Sequence, residues 1–173
     1  MSSPGISRNA NSAARLAAVQ ALYEIEVAGS DAEEVLRTYK DTRWPSFLAE
    51  LASELAEADA EIPNLPPPDR RVLRAVVRGV QEHSDSLDSA IMAHLEGAAP
   101  AFEQLETLAK AILRAAAFEL MHAHQTPTGA IVSDYVAIAN AFFTENQPRL
   151  VHAIADALGR ECRGEGAATA PQS

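Results

Sequence analysis

The sequence has little cysteine and no long apolar run, and both absences exclude whole classes of protein. Cys162 is the one cysteine among 173 residues, so neither an internal disulfide nor a cysteine-based zinc site can form. No stretch approaches the roughly 18 consecutive apolar residues that a membrane-spanning helix needs. The first residues, Met1–Gly5, lack the charged-then-apolar order of a signal peptide. We therefore expect a cytoplasmic protein that does not enter a membrane.

Recognisable catalytic patterns are also missing. The eight glycines are scattered and form neither a dinucleotide-binding loop nor a phosphate-binding loop. His122 and His124 lie two residues apart, so on a helix their side chains point in different directions and do not favour a shared metal ion. Glu54 and Glu57 suit a solvated helix face better than acid–base catalysis. These observations predict a binding protein with no enzymatic activity, no cofactor and no metal.

Charge is acidic overall and unevenly distributed. The chain has 14 Lys and Arg against 24 Asp and Glu, a net charge of −10, which argues against non-specific coating of nucleic acid. Residues 1–23 nevertheless carry Arg8 and Arg15 and no acid, whereas residues 24–62 carry eleven acids and three basic side chains. A cationic amino end on an acidic body can still form a directed anion site.

Apolar residues recur with the period of an α-helix along nearly the whole chain, and no segment alternates as a strand does. Helices are predicted at residues 11–28, 32–39, 46–59, from 70 after an Asp69 cap, from 84 or 86 to 95, and at 103–121, 127–143 and 146–159. Four prolines make residues 61–68 a stiff loop, which we place inside one domain because neither flank has enough apolar residues for its own core. The predicted organisation is a flexible arm (1–11), one helical domain (12–163) and a disordered tail (164–173).

Three features could bind an anion. The first is the arm with Arg8 and Arg15. The second is the basic side of the helix after Asp69, which comprises Arg70, Arg71, Arg74 and Arg78. For these arginines, pairing with solvent or with the protein's own acids is favoured over phosphate binding. The third is Arg114 in an apolar run, which either lies at the helix edge or reaches a ligand beside Phe118; its spacing does not separate the two.

Four stretches, in order from about residue 13 to 160, resemble the NusB family of bacterial transcription antitermination factors. Residues 14–23 (ARLAAVQALY) are similar to its opening helix, and residues 73–80 (LRAVVRGV) to its third helix. Residues 110–120 (KAILRAAAFEL) resemble its "KAxLRxAxYEL" helix. Residues 127–143, with VSDYV and AFF inside, resemble its "P…INEAVxxAxxF" stretch.

The resemblance implies an all-α fold of about seven helices in two three-helix bundles, without enzymatic activity. Family members bind boxA-type RNA and pair with NusE, a small-subunit ribosomal protein. Together these load onto RNA polymerase and suppress termination, chiefly on ribosomal RNA operons. The partners implied here are therefore boxA RNA, NusE and the polymerase antitermination complex, for a monomer or a homodimer.

The resemblance also implies site residues, position by position. RNA contacts are expected at Arg8, Arg15, His94, Arg114, Arg149 and His152, with His94 where an aromatic side chain can stack on a base. Contacts with the protein partner are expected at Gln20 and Tyr23.

The sequence departs from the family pattern where RNA is bound. Its arm has two arginines where the family has a cluster, and residues 150–156 lack the aromatic, Asn and Gly of the family's "FVNGVLD". The alternatives are a protein-only adaptor that docks a basic partner on residues 24–62, or a divergent paralogue with weak or lost RNA binding. A domain attached to an RNA methyltransferase is disfavoured, because we expect no room for a catalytic domain after the last helix.

Overall fold

The structure, a computed structural model, describes residue 6 and residues 9–59, 64–97, 101–144 and 146–168, with side chains as far as Gly164. This part of the chain contains helices and no strand, which confirms the predicted all-α class. The α-helices are α1 (Ala10–Ala28), α2 (Ala32–Thr38), α3 (Trp44–Glu57), α4 (Arg70–Glu82), α5 (Ser84–Ala93), α6 (Thr107–His122), α7 (Thr128–Phe142) and α8 (Asn146–Ala168). A π-helix (Tyr39–Arg43) joins α2 to α3, and a 3₁₀ turn (Phe102–Gln104) precedes α6.

Helices α1 and α6 form the centre of the molecule. The three helices α6, α7 and α8 pack on one another, while α1 packs on α4 and α6, and α5 packs on α6. Every side chain from Ser12 to Val19 is buried, because the alanines among them let neighbouring helices approach on several sides. None of the described helices is both long and apolar enough to cross a membrane.

The first helix begins at Ala10, one residue before its predicted start at residue 11. The Asn9 side chain accepts a hydrogen bond from the Ser12 backbone N–H at 2.8 Å, so Asn9 is the cap and residues 10 and 11 are helical. The arm predicted over 1–11 is therefore shorter by two residues. Residues 1–5, 7 and 8 lie outside the described part of the chain, as do residues 61–63 of the predicted loop.

The predicted start of the 103–121 helix is wrong. Leu105 and Glu106 are extended, with ψ values of 145° and 147°, and α6 begins only at Thr107. The 3₁₀ turn and this extended pair bury Phe102 and Leu105, an arrangement that helical period alone does not predict.

The predicted end of the last helix at Gly159 is also wrong. Gly159 is buried inside α8, and a Cβ there would lie 2.8 Å from the Thr128 Cγ2, so the glycine serves a close contact with α7. The helix leaves helical geometry at Gly164 (φ 74°, ψ 153°), the first residue of the predicted tail, and residues 169–173 lie outside the described part.

The additional turn of α8 places Arg163 against the carboxyl end of α6. Its guanidinium donates to the backbone oxygens of Leu120 at 3.1 Å, Glu119 at 2.9 Å and Ala123 at 2.7 Å, and also to that of Thr126. These carbonyls belong to the last turn of α6 and to the segment that follows it, and those of Glu119 and Ala123 also accept from the backbone N–H groups of Ala123 and Thr126. Arg163 therefore caps α6 from α8.

Candidate nucleic-acid interface

Arg15, predicted to contact RNA, lies inside the protein. Its side chain is 4% exposed, and its Nε and Nη2 donate to the two carboxylate oxygens of Glu119 at 2.9 and 3.0 Å. Its Nη1 donates to Asp134 Oδ2 at 2.8 Å. The hydroxyls of Tyr135 and Ser12 donate to Glu119 and Asp134 at 2.6 and 2.7 Å. This buried network joins α1, α6 and α7.

The electrostatics of the network fix its protonation states. Burial alone would lower the pKa of Arg15, but the hydrogen bonds and charge of Glu119 outweigh burial and raise it. Burial, followed by the charge of Glu119, raises the pKa of Tyr135 well above its ordinary value, so its hydroxyl stays neutral and donates. Arg15 is thus a permanent cation bound by the protein's own carboxylates, and its contact with RNA stays a prediction.

A polar groove lies over this network, between the amino ends of α1 and α7. It has a volume of about 550 Å³, and its lining includes Asn9, Ser12, Arg15, Ser133 and Asp134. Arg8, the other arginine predicted in the arm, lies outside the described residues. Arg8 directly precedes Asn9 in the sequence, and Asn9 lies at the edge of this groove.

Arg114 occupies the middle of α6 and is paired. Its Nε and Nη2 donate to the two oxygens of Asp88 at 2.7 and 2.8 Å, and this hydrogen bonding raises the pKa of Arg114. Its guanidinium carbon lies 5.6 Å from the centre of the Phe102 ring, and Lys110 Nζ lies 5.3 Å from the same ring. The ring beside Arg114 is therefore Phe102, with two cations around it.

Arg149 and His152 lie exposed on the first turns of α8. Arg149 borders a groove of about 620 Å³ whose far wall includes Leu105 and Glu106, directly after the turn that carries Phe102. The turn before α6 therefore adjoins Arg114 and Lys110 on one side and Arg149 on the other.

His94 follows α5, and its Nε2 lies 2.7 Å from a carboxylate oxygen of Glu161 on α8. Its side chain is 24% exposed, so part of the ring is open to solvent.

The predicted RNA contacts thus fall into two places. Arg15 binds Glu119 near the carboxyl end of α6, whereas Arg149 lies beside the segment that precedes the amino end of α6. Along α6, Glu119 is about 18 Å from Thr107, the first residue of the helix, at 1.5 Å per residue. A ligand that contacts both must therefore be extended.

Gln20 and Tyr23, predicted to contact a protein partner, line one groove. It has a volume of about 240 Å³ between α1, the π-helix and α3, with Phe47 on its far side. Tyr23 is 38% exposed, and Val27, one turn further along α1, is 59% exposed. We call Gln20, Tyr23 and Val27 the α1 strip. An exposed tyrosine and valine in line are typical of a protein-binding surface.

The other polar features that the sequence suggested are also placed. Arg78 pairs with Glu33 of the acid-rich segment, as expected, at 2.8 and 2.7 Å. The His122 ring stacks on His83, with centroids 4.6 Å apart, and on Phe118 at 5.1 Å. In the described part of the chain, no group of three or more His, Cys, Asp or Glu side chains is arranged to hold a metal ion.

Several partners escaped the sequence analysis, namely Glu119, Asp134, Asp88 and Phe102. A signal existed for Glu119, since an acid inside an apolar helical run must be neutralised when the run is buried. Phe102 lies outside any periodic segment, so the sequence carried no signal that it would face Arg114.

Comparisons with known proteins agree with this architecture. A family model described as "NusB family" matches residues 12–160. A protein of Mesorhizobium japonicum named "Transcription antitermination protein NusB" is 40% identical over 158 residues, covering 91% of this chain and 94% of that protein. A Brucella ovis protein of the same name is 40% identical over 171 residues, covering 98% and 92%.

Solved structures show the same fold. The structure "T. maritima NusB" matches with a TM-score of 0.66 and 23% identity, covering 90% of this chain and 94% of that one. A solution structure of NusB from Aquifex aeolicus matches with a TM-score of 0.59 and 17% identity, covering 94% and 93%.

Proposed function

The chain belongs to the NusB family, and from this premise we propose that it is a transcription antitermination factor that binds boxA-type RNA together with NusE. The observation that carries the proposal is 40% identity, over 91% and 98% of this chain, to proteins named for antitermination. In this proposal the protein acts in the cytoplasm and has no catalytic role. The complex with RNA and NusE acts on RNA polymerase at ribosomal RNA operons.

The proposed RNA face comprises the cations around Phe102 and the exposed residues of α8. Its members are Lys110, Arg114, Arg149, His152 and His94. Arg149 and His152 are exposed, so phosphates can reach them without breaking an internal structure. Arg114 gives two N–H groups to Asp88 and retains others, since a guanidinium has five.

Arg8 and Arg15 complete the proposed face at its other end. In this proposal Arg15 fixes the start of α1 through Glu119 and Asp134, and Arg8, which precedes α1 in the sequence, contacts the RNA. RNA bound at both ends lies along α6.

The proposed surface for NusE is the α1 strip with the groove beside it. Tyrosine is favoured at binding hot spots because it offers a large, rigid contact with a polar end. We expect Tyr23→Ala with Val27→Ser to weaken NusE binding at least about tenfold, a loss of about 1.4 kcal/mol, and to leave RNA binding without NusE unchanged. Surface plasmon resonance with immobilised NusE would measure this.

The proposal is tested by fluorescence anisotropy of labelled boxA RNA, titrated with and without purified NusE at two salt concentrations. We expect boxA to bind more tightly than a scrambled RNA and NusE to strengthen that binding. Arg149→Gln with His152→Gln should weaken boxA binding. Arg160→Gln is the matched control, because Arg160 lies exposed on the same helix but already pairs with Asp156 at 2.7 Å.

Equal binding of boxA and scrambled RNA, with and without NusE, would contradict the proposal. If NusE still bound in that case, the protein would be a protein-only adaptor, for which the predicted docking region is residues 24–62. That alternative has support in the structure, because two of the predicted RNA contacts, Arg15 and Arg114, are bound by internal carboxylates.

A further inference from the structure

We propose that α2 and α4 form a second phosphate-binding surface, which holds the backbone of RNA that flanks the boxA element. Its members are Arg37 of α2, Lys40 of the π-helix that follows α2, and Arg70 and Arg74 of α4, and we call it the α2–α4 surface. This inference rests on the proposed function and extends it to RNA beyond boxA.

The four cations surround one small cavity. The cavity has a volume of about 130 Å³, and buried Leu36, Tyr39 and Leu73 contribute to its walls. That volume is equivalent to about four water molecules at about 30 Å³ each, which is room for a phosphate group and its nearest water. All four cationic side chains are exposed, and Asp41 is the one acid that lines the same cavity.

These cations lack acidic partners although the protein is acidic. Among the described residues, no ion pair involves any of the four, whereas Arg43 and Arg78 on the same elements pair with Glu24 and Glu33. Four positive charges around one cavity repel one another, and a bound anion would relieve that repulsion. Asp41 in the cavity wall and Glu33 near Arg74 offset part of this charge, and a bound phosphate would offset more of it.

The acidic residues of α2 limit the surface at one end. Helix α2 places Glu33 and Glu34 at its amino end, and these residues line a second groove with Arg37 and Arg74. The carboxylate of Glu33 neutralises Arg78, four residues beyond Arg74 on α4. Uncompensated positive charge is therefore confined to the first turns of α4 and the end of α2.

At its other end the surface meets the proposed RNA site. The Asp69 backbone N–H, at the cap of α4, donates to the Ala10 backbone oxygen at the start of α1 at 3.0 Å. Arg70 is thus next to the point from which the arm carrying Arg8 extends. An RNA strand that passes the arm can continue onto Arg70 and then Arg74, one helical turn or about 6 Å further along α4.

The chemistry of the surface predicts contacts with phosphates and not with bases. The aromatic ring at the cavity, that of Tyr39, is 2% exposed and offers no stacking platform. The Asp69 carboxylate already accepts from the backbone N–H groups of Arg71 and Val72, so the side chains alone bind the anion. Such contacts add affinity without reading sequence.

The test compares two RNAs, boxA alone and boxA extended at both ends with unstructured sequence, using the full-length protein. We expect the native protein to bind the extended RNA more tightly. The variant Lys40→Gln/Arg70→Gln/Arg74→Gln should lose that advantage and keep the native affinity for boxA alone. Its slope of log affinity against log salt for the extended RNA should shrink by about 2, since each phosphate contact on a single strand contributes about 0.7.

The matched control is Glu33→Gln/Arg78→Gln, which removes a cation of the same helix together with its own partner and leaves the net charge unchanged. The control should keep the advantage of the extended RNA. Selective boxA binding with no gain from the extensions, or a triple variant that keeps the gain, would overturn this inference and leave the proposed function standing. Failure of the native protein to bind boxA selectively would contradict both.

Discussion

Arg15 shows how burial changes what a single residue does. In the sequence it is one of two cations at an acid-free amino end, and the resemblance assigns it to RNA. In the structure two carboxylates, of Glu119 and Asp134, surround its guanidinium, and the side chain is 4% exposed. The sequence could predict the residue but not its partners, because Glu119 is 104 positions away. Long-range pairing of this kind follows from tertiary structure alone.

Removing the Arg15 cation should destabilise the fold strongly. Arg15→Ala leaves Glu119 buried without a counter-ion, so we expect the free energy of unfolding to fall by about 3–5 kcal/mol. Arg160→Ala, which breaks an exposed pair on α8, should change it by less than about 1 kcal/mol. Urea denaturation followed by circular dichroism measures both, and equal losses would contradict the structural role of Arg15.

His122 should make stability depend on pH near neutrality. Partial burial, followed by the charges of His83 and His124, lowers the pKa of His122 from its ordinary value of 6.5. The unfolded chain therefore binds a proton more readily than the folded one below that value. The stability present above pH 6.5 is lost as the pH falls through the lowered pKa of the folded state.

We expect the urea concentration at the midpoint of unfolding to decrease as the pH is lowered from about 7.5 to about 5.5, the range in which histidine titrates. His122→Gln should reduce that fall, because the group that titrates is gone. His152→Gln, at a histidine on α8 outside the ring stack of His83, Phe118 and His122, serves as the control. An unchanged pH dependence in His122→Gln would show that other groups cause it.

The sequence predicted which helices exist better than it predicted where each helix begins and ends. The caps at Asp31 and Asp69 are local signals, and α2 and α4 begin directly after them. The π-helix at Tyr39–Arg43 had no local signal, and the helix that follows begins at Trp44 with Pro45 in its first turn, two residues before the predicted start. Gly159 was predicted to end the last helix. The sequence does not distinguish a glycine that ends a helix from one that is buried against a neighbouring helix.

Gly79 is the glycine on which the packing of α4 against α6 depends. A Cβ there would lie 2.1 Å from two ring atoms of Phe118, whose ring is itself stacked on His83 and His122. We expect Gly79→Ala to lower the free energy of unfolding by about 1–3 kcal/mol through overpacking, although alanine favours a helix by about 1 kcal/mol over glycine. Thermal or urea unfolding measures the change.

Gly129→Ala is the matched control, because Gly129 lies in α7 and no atom beyond the adjacent residues and backbone of its own helix lies within 4 Å of the added Cβ. It should be neutral or stabilising. The double variant Gly79→Ala/Phe118→Ala removes the clash. It should therefore lose less unfolding free energy than the sum of the losses in the two single variants. A Gly79→Ala protein as stable as the Gly129→Ala protein would contradict the contact.

For the whole molecule, the overall charge of −10 is a poor guide to what the surface binds. Acidic residues concentrate on α2 and the segments around it, while exposed cations without a salt bridge among the described residues lie at the end of α2, on the first turns of α4 and on the first turn of α8. The sequence revealed the acid-free start of the chain. It did not reveal that the cap of α4 bonds to Ala10, because that contact joins residues 59 positions apart along the chain. The extended RNA path proposed here depends on this contact.

The predicted RNA residues Arg15, Arg114 and Arg149 lie at two separate places in the structure. Arg114 lies beside the Phe102 ring, Arg149 borders a groove lined by Leu105 and Glu106, and Arg15 lies near the far end of α6. A family pattern transfers residues one at a time and does not give their arrangement. The structure supplies that arrangement, and a ligand that contacted both groups would have to be extended.

The central claim is that this protein, with NusE, suppresses termination through boxA, and a transcription assay tests it most directly. Readthrough of a terminator is measured in a cell extract depleted of the protein, on templates with an intact or a scrambled boxA. We predict that adding the native protein restores readthrough on the intact template alone, and that Arg149→Gln/His152→Gln restores it less well. Readthrough that does not depend on the added protein, or that is equal on both templates, would contradict the claim.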